Sequence, residues 1–139
     1  MTGRALGFTG TREGISDHQR AQLTMLILAG NWSEFHHGDC VGADADAHEI
    51  AKAAGLRIIV HPPLNEAYRA FVPQAEVAEF RPADEYLSRN RDIVDESALL
   101  IACPRSDVEE RRSGTWSTVR YARRTGRPVL VLQRDEVTE

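Results

Sequence analysis

The chain has 139 residues with a formal net charge of -4, and 42% of its residues are hydrophobic. This length fits one domain with one core, so we predict a single domain over residues 1–139. No apolar run approaches a membrane span of about 20 residues, and the polar start, Met-Thr-Gly-Arg, leaves no room for a signal peptide. We therefore expect a cytoplasmic protein with no membrane partner.

The first half of the chain alternates between strand and helix patterns. The apolar run ALGFT at 5–9 predicts a strand, and a polar loop follows it. Ser16 and Gln19 have the spacing of a capping box, which predicts the start of a helix. We expect this helix to end at Gly30 with a left-handed cap. The pattern then repeats as a strand at 34–37, a helix at 43–54 stopped by Gly55, and a strand at 56–61.

The second half continues this alternation after one irregular segment. Residues 62–85 contain four prolines and a short predicted helix at 66–71. This stretch is too long for an idle connection, so we predict a surface excursion near the ligand edge. It is followed by a short helix around 88–92, a strand at 98–104, a helix at 114–124 and a strand at 129–133.

Strands made of continuous Leu, Ile and Val bury both of their sides, which indicates a parallel sheet covered on both faces. We therefore predict an α/β, Rossmann-like doubly wound fold, with a mainly parallel sheet of about five strands and helices on both faces. In this class the loops that follow the strands meet at the carboxyl edge of the sheet, where ligands bind.

The first loop at this edge is Thr9-Gly10-Thr11-Arg12. Gly10 allows the backbone to approach a ligand, while Thr11 and Arg12 can bond a phosphate. A tetrapeptide of this kind is equally typical of a plain turn, so the motif alone leaves both interpretations open.

The second loop, HGDCVGAD at 37–44, comes just before a helix start. Gly38 and Gly42 leave backbone amides free to face an anion at the helix N-terminus. Asp39 and Asp44 can accept hydrogen bonds from ribose hydroxyls, as an acidic residue does in dinucleotide folds. Either aspartate can instead cap the helix.

The stretch from His36 to His48 is also rich in metal-ligating residue types. Asp44 and His48 lie one helical turn apart, with Cys40 nearby, but the neighbouring His36 and His37 must point to opposite faces of a strand. The spacing has neither the CxxC nor the HExxH pattern of zinc sites. We therefore predict no metal in this stretch, and no cofactor.

The third region contains Arg89, Asn90 and Arg91 on a short helix. The two arginines are two residues apart, so we expect one to face the ligand edge and the other to meet an acid or solvent. Arginines also crowd residues 105–127, whereas Lys52 is the only lysine. This crowding indicates either an anion-facing patch or a genome that favours arginine.

The fourth loop, SGTWST at 113–118, is small and polar and stands at a helix start. The amides and hydroxyls around Gly114 and Thr115 predict a second anion cradle. Trp116 can stack on a base, or it can pack against the sheet as one face of an amphipathic helix.

Taken in order, GFTGTR at 7–12, HGDCVGAD at 37–44, SRNRDIVD at 88–95 and SGTWSTVRYARRTGRPVLVL at 113–132 resemble the SLOG superfamily. This Rossmann-like group includes the DNA-uptake protein DprA, the lonely-guy phosphoribohydrolases and small stand-alone nucleotide-binding members of bacteria and phages. The chain looks most like the small members. The resemblance implies a nucleotide-derived ligand at the carboxyl edge, held by Gly10, Thr11, Arg12, Gly38, Asp39, Gly42, Asp44, Arg89, Asn90, Gly114 and Thr115.

The chain departs from the lonely-guy enzymes at one functional position. Those enzymes carry PGGxGTxxE, whose glutamate assists cleavage of the N-glycosidic bond, whereas here RRSGTWST places Thr118 at that position. The general acid or base is therefore missing, unless Asp39, Asp44 or Glu110 supplies a carboxylate from another loop.

We accordingly predict a protein that senses or sequesters a nucleotide or an ADP-ribose-like ligand. The alternative is an enzyme that hydrolyses a nucleoside 5'-monophosphate to its base and ribose phosphate. An acidic chain is not expected to bind nucleic acid, which requires a basic face. We expect a homo-oligomer, because exposed helices of such domains often pair.

Overall fold

A computed structural model describes residues 4–135, which form six strands and four α-helices. The strands are β1 (Ala5–Gly10), β2 (Glu34–His37), β3 (Arg57–Val60), β4 (Glu79–Phe80), β5 (Leu99–Cys103) and β6 (Val129–Val131). The helices are α1 (Asp17–Ala29), α2 (Ala43–Ala53), α3 (Tyr86–Asp95) and α4 (Gly114–Arg124). Residues 1–3, on which part of the signal-peptide argument rests, lie outside the described residues. None of the helices within 4–135 is both long and apolar enough to cross a membrane.

All neighbouring strands pair in parallel, in the order β4-β3-β2-β1-β5-β6. This confirms the α/β fold with a parallel sheet. The sheet has six strands rather than about five, because Glu79 and Phe80 pair with Ile59 and Val60 at the edge. The helix predicted at 66–71 is only a single 3-10 turn, Glu66–Tyr68. The excursion between β3 and α3 thus contributes a strand that its sequence did not predict.

The strands are apolar on both sides because helices cover both faces of the sheet. Leu100 and Ala102 pack towards α3 and α4, whereas Ile101 and Cys103 belong to the larger core beneath α1 and α2. Side chains alternate between faces along a strand, so consecutive apolar residues of β5 serve the two layers in turn.

The helix ends are partly as predicted. The capping box is confirmed, since the Gln19 amide donates to Ser16 Oγ and the Ser16 amide donates to Gln19 Oε1. Helix α1 ends at Gly30 as predicted, but this cap residue has φ -91 and is extended rather than left-handed. Gly55, with φ +80, follows the cap residue Ala54 of α2 and confirms the predicted stop.

The order of the strands also fixes where a ligand can bind. After β1 the chain adds β2, β3 and β4 on one side, and then crosses to the other side of β1 with β5 and β6. This change of direction between β1 and β5 opens a crevice at their carboxyl ends, which is the usual ligand position in doubly wound folds.

Candidate functional site

A cavity of about 610 Å³ lies beyond the carboxyl ends of β1, β2 and β5. Three of the predicted loops and the Arg89-Asn90 pair meet there. The predicted residues in its lining are Gly10, Thr11, Arg12, Gly38, Asp44, Arg89, Asn90, Glu110, Gly114 and Thr115. Two predicted residues, Asp39 and Gly42, are not in the lining.

The loop after β1 brings a cation to the cavity. The Thr11 amide donates to the Cys103 carbonyl at 3.1 Å, which ties this loop to the end of β5. The Arg12 guanidinium lies 3.7 Å from the centre of the Tyr68 ring and 6.0 Å from that of Tyr86. Within residues 4–135 Arg12 has no salt-bridge partner, so its charge is free to meet an anion.

Asp44 is the buried carboxylate of the cavity. Its Oδ2 accepts hydrogen bonds from the amides of Gly38 at 3.2 Å and Cys40 at 3.1 Å. Burial raises the pKa of Asp44 to about 6, although the Arg89 charge and the two amide hydrogen bonds oppose this shift. The amides predicted to hold a phosphate are therefore already bound to a carboxylate, and the second loop is not an anion cradle.

Asp39 does not lie where the sequence placed it. Its φ is 56, which turns its side chain away from the cavity, and the carboxylate is fully buried. It accepts hydrogen bonds from Arg69 Nε at 2.7 Å and from the Val72 amide at 3.1 Å. Asp39 therefore anchors the excursion after β3, and a role at a ribose or in catalysis does not fit this position.

Gly42 shapes the cavity from behind. Its φ is +89, and a Cβ on it would lie 2.2 Å from the Arg12 carbonyl oxygen. Gly38 is constrained in a similar way, because a Cβ there would lie 2.4 Å from Arg89 Nη1. Both glycines were predicted to free the backbone for an anion, but Gly42 is required by its close approach to the loop after β1, and Gly38 by its close approach to the Arg89 side chain.

Arg89 mainly positions the second loop. It is only 4% exposed, and its Nη1 donates to the carbonyls of Gly38 at 2.7 Å and His61 at 3.0 Å. Its Nε donates to Asn90 Oδ1 at 2.7 Å. Most N–H groups of Arg89 are thus bound to protein atoms, so fewer of them can reach a phosphate than the sequence predicted. Arg91 instead lies over the Tyr121 ring, so the two arginines do point in different directions.

The start of α4 brings backbone amides to one end of the cavity. Ser113 Oγ accepts a hydrogen bond from the Trp116 amide, whereas the amides of Gly114 and Thr115 stand in the first turn, where a helix offers no backbone partner. Arg112 also lines the cavity. Amides of this kind, the helix dipole and a guanidinium together favour a phosphate or carboxylate.

The lining also includes Tyr86, Cys40, Arg105 and Arg112. No sequence argument pointed to Tyr86, which begins α3 and has its ring centre 5.2 Å from the Arg89 guanidinium, and Cys40 was considered only for a metal. Arg105 and Arg112 belong to the arginine-rich segment that indicated a possible anion-facing patch, but its other arginines are not in the lining. Arg105 bonds Glu110 there, which lowers the pKa of that carboxyl.

Trp116 packs against the sheet rather than facing the cavity. It forms a small core cluster with Ala102 and Val119 and is 5% exposed. Its Nε1 has no hydrogen-bond partner within the described residues. Of the two interpretations drawn from the sequence, packing therefore applies.

The cluster of Asp44, Cys40 and His48 considered for a metal does not form. His48 is engaged by other residues, since its Nε2 meets Glu76 Oε1 at 3.0 Å and its Nδ1 meets His37 Nε2 at 3.0 Å. His36 and His37 do point to opposite faces of β2, because His36 meets His61 instead.

Comparison by sequence finds no matching family model and no matching curated protein. Solved structures do match. The molybdenum cofactor binding protein of the phototrophic bacterium Rippkaea orientalis is 26% identical, with a TM-score of 0.73 over 97% of this chain and 79% of that protein. The Moco carrier protein of Chlamydomonas reinhardtii is 22% identical, with a TM-score of 0.62 over 94% and 76% of the two chains. DprA of Streptococcus pneumoniae is 21% identical with a TM-score of 0.65, and the match covers 93% of this chain and 50% of DprA.

These structures share one Rossmann-like architecture, and the match extends over almost the whole of this chain. DprA is also one of the proteins to which the four sequence motifs pointed. The parallel sheet and the cavity at its carboxyl edge agree with the same fold. The chain therefore has the Rossmann-like fold of these proteins, and its four motifs resemble those of the SLOG superfamily.

Proposed function

We propose that the cavity binds a phosphorylated, nucleotide-like small molecule, which the protein senses or sequesters. The observation that carries this proposal is the pairing of an anion-binding helix start, α4, with a cavity of about 610 Å³. Pockets for small ligands have volumes of about 300–1,000 Å³, so a nucleotide or an ADP-ribose-like molecule fits in size.

Each part of such a ligand has a matching group in the lining. The amides of Gly114 and Thr115, with Arg112, suit a phosphate. Asp44 suits a ribose hydroxyl, because a carboxylate accepts the hydrogen bond that a hydroxyl donates. Tyr86 offers an aromatic ring for a flat base.

Two of the similar structures are named for binding or carrying the molybdenum cofactor. That cofactor is itself a phosphorylated heterocycle, so the groups suited to a nucleotide phosphate and base also suit it. We therefore define the ligand class by chemistry, as a phosphate joined to a flat heterocycle. The names of the similar structures do not identify one ligand within this class.

A thermal-shift panel of nucleoside mono-, di- and triphosphates and ADP-ribose tests the proposal. A ligand present at about 100 times its dissociation constant stabilises a protein by about 2.7 kcal/mol, which raises the melting temperature measurably. Arg112→Ala should weaken binding about tenfold or more, since a hydrogen bond to a charged group contributes about 1.5–3 kcal/mol. The neighbouring Arg111 is also exposed but lies outside the cavity lining, so Arg111→Ala is the matched control.

The proposal fails if no compound in the panel raises the melting temperature at millimolar concentration. It also fails if Arg112→Ala and Arg111→Ala respond to the ligand equally, because the binding site would then lie elsewhere.

Asp44 supports a second candidate function, hydrolysis of a nucleoside 5'-monophosphate. A carboxyl with a pKa of about 6 is partly protonated near neutral pH and can donate a proton to the leaving base, while water attacks C1' of the ribose. Thr118 cannot take this role, and its Oγ1 donates to the Gly114 carbonyl. Glu110 is exposed to the cavity but held ionised by Arg105.

Chromatography of AMP, GMP, CMP and UMP after incubation with the protein tests this reaction. Base release that is lost in Asp44→Asn and kept in Glu110→Gln supports Asp44 as the acid. Release that survives in Asp44→Asn excludes it, and intact nucleotides in every reaction leave binding as the function.

DNA is a third ligand class, because DprA is named a DNA processing protein. Single-stranded DNA would bind with a steep dependence on salt, whereas a single nucleotide in a cavity loses little affinity between 50 and 200 mM salt. We propose the small ligand rather than DNA, and we propose that the protein acts as a single cytoplasmic domain.

We also propose that the protein forms a homo-oligomer, because Met25 and Leu28 on α1 are exposed apolar side chains. Light scattering measures the molar mass in solution and tests this proposal.

A further inference from the structure

Two buried histidines face each other on the α3 side of the sheet, outside the cavity lining. His36 Nδ1, from β2, lies 2.9 Å from His61 Nε2, just beyond β3. Both residues are at most 2% exposed. Glu96 follows α3 and brings a carboxylate to the same point, so that one ligand atom from each of the three residues lies within 4.8 Å of the others.

Glu34 orients His36 as an outer-shell residue does at a metal centre. Glu34 Oε1 lies 3.2 Å from His36 Nε2, and Arg57 Nη1 donates to the other carboxylate oxygen at 2.8 Å. An ionised carboxylate only accepts hydrogen bonds, so the proton of His36 is held on Nε2. The lone pair of Nδ1 is then directed at His61, in the carboxylate-histidine-metal arrangement of zinc proteins.

The distances are close to those around one metal ion. Nitrogens bound to an ion at about 2.0–2.1 Å lie about 2.9 Å apart when the angle at the ion is about 90°, and about 3.4 Å apart in a tetrahedron. The observed 2.9 Å matches the smaller of these separations, but the two nitrogens face each other along a hydrogen bond. Both rings must therefore turn for their lone pairs to meet at an ion, which lies off that line. The proton that otherwise joins the two rings moves to His61 Nδ1 when an ion takes its place.

Glu96 has a carboxylate oxygen to offer. Arg81 contacts it through Nε at 3.1 Å and Nη2 at 2.6 Å, and both donors meet the same oxygen, Oε1. This leaves Oε2 for an ion. The Arg81 charge opposes cation binding, so the affinity of this site is held below what its three ligands alone would give.

A second group of metal-ligating residues, His48, Glu49 and Glu76, is a weaker candidate. It offers one histidine rather than two, and the Lys52 ammonium contacts Glu76 Oε2. A cation would have to displace this ammonium and break the contact between His48 and Glu76.

We propose that His36, His61 and Glu96 bind one divalent transition-metal ion, with zinc as the expected ion. Two imidazoles and a carboxylate are a zinc-type ligand set, and three protein ligands leave a coordination position for water. The ion would join β2, the end of β3 and the end of α3. The His61 carbonyl accepts a hydrogen bond from Arg89, which lines the cavity. An ion bound to His61 would therefore also restrict the motion of Arg89.

The test uses the full chain without a histidine tag, stripped with a chelator and titrated with Zn²⁺ by calorimetry. We expect saturable binding of one equivalent. Co²⁺ should give a visible ligand-field spectrum that Zn²⁺ abolishes. Glu96→Gln keeps the contact with Arg81 and should weaken Zn²⁺ binding at least about tenfold, whereas Glu49→Gln, in the weaker cluster, is the matched control and should bind as the unchanged protein does.

The variant Arg81→Met distinguishes a metal site from a pair of histidines that only stabilises the fold. Removal of the guanidinium beside Glu96 should strengthen Zn²⁺ binding. The proposal is overturned if no saturable binding occurs up to millimolar Zn²⁺, if Glu96→Gln and Glu49→Gln bind equally, or if Arg81→Met weakens binding. Melting temperatures of the metal-free variants identify any that fail to fold, and His36→Asn then provides a second ligand variant.

Discussion

Replacement of Asp44 by asparagine tests the electrostatics on which the site depends. Asparagine keeps an oxygen for the amides of Gly38 and Cys40 but removes the buried charge. The pKa of Asp44 is about 6 in the folded protein and 3.8 in the unfolded chain. Between pH 3.8 and pH 6, folding is therefore accompanied by the uptake of a proton. Stability is therefore lost as pH rises from 3.8 to 6. The penalty for ionised Asp44 is below about 1 kcal/mol at pH 4 and rises to about 3 kcal/mol at pH 8.

Urea denaturation of both proteins at pH 4, 5 and 8 measures this penalty as a difference. Other groups titrate alike in the two proteins and cancel, so the stability of Asp44→Asn relative to the original should rise by about 2 kcal/mol from pH 4 to pH 8. A difference that does not change with pH would mean that Asp44 ionises in the fold as it does in water. A difference that falls with pH would reverse the reasoning, because the carboxylate would then be stabilised by its hydrogen bonds.

Two further variants test how the loops are held, both by urea denaturation. Gly42→Ala should cost at least about 2 kcal/mol, because it adds a Cβ at positive φ against the loop after β1, whereas Gly114→Ala has open space and should stay within about 0.5 kcal/mol. Arg69→Met should cost about 3–5 kcal/mol, since it leaves the buried Asp39 carboxylate without its ion pair. Arg20→Met, which breaks only an exposed contact, should cost about 0–1 kcal/mol, and equal losses in Arg69→Met and Arg20→Met would contradict the buried role of Asp39.

Local patterns were sufficient for most of the fold. The capping box of Ser16 and Gln19 depends on residues only three apart. Runs of continuous apolar residues indicate strands that are buried on both faces. β4 was missed because two residues carry no periodicity, and Glu79 and Phe80 pair with β3 only because the excursion returns there. The conformation predicted for the cap at Gly30 was wrong because an extended cap and a left-handed cap have the same sequence pattern.

The site was predictable as a set of loops but not in the direction of each side chain. Asp39 and Asp44 look equivalent in sequence, yet the positive φ of Asp39 turns one carboxylate to Arg69 and leaves the other at the cavity. The partner lies 30 residues further along the chain, so no local pattern indicates it. His36 and His61, 25 residues apart, are joined for the same reason only by the pairing of β2 with β3.

The net charge of -4 does not describe the cavity. Its lining holds four arginines, Arg12, Arg89, Arg105 and Arg112, against the acids Glu13, Asp44 and Glu110. Arg105 pairs with both glutamates, and burial disfavours the charged form of Asp44. The positive charge that remains is therefore concentrated inside the cavity of an acidic protein. A small anion that enters the cavity meets this charge at short range, whereas a long polyanion would also meet the negative surface around it.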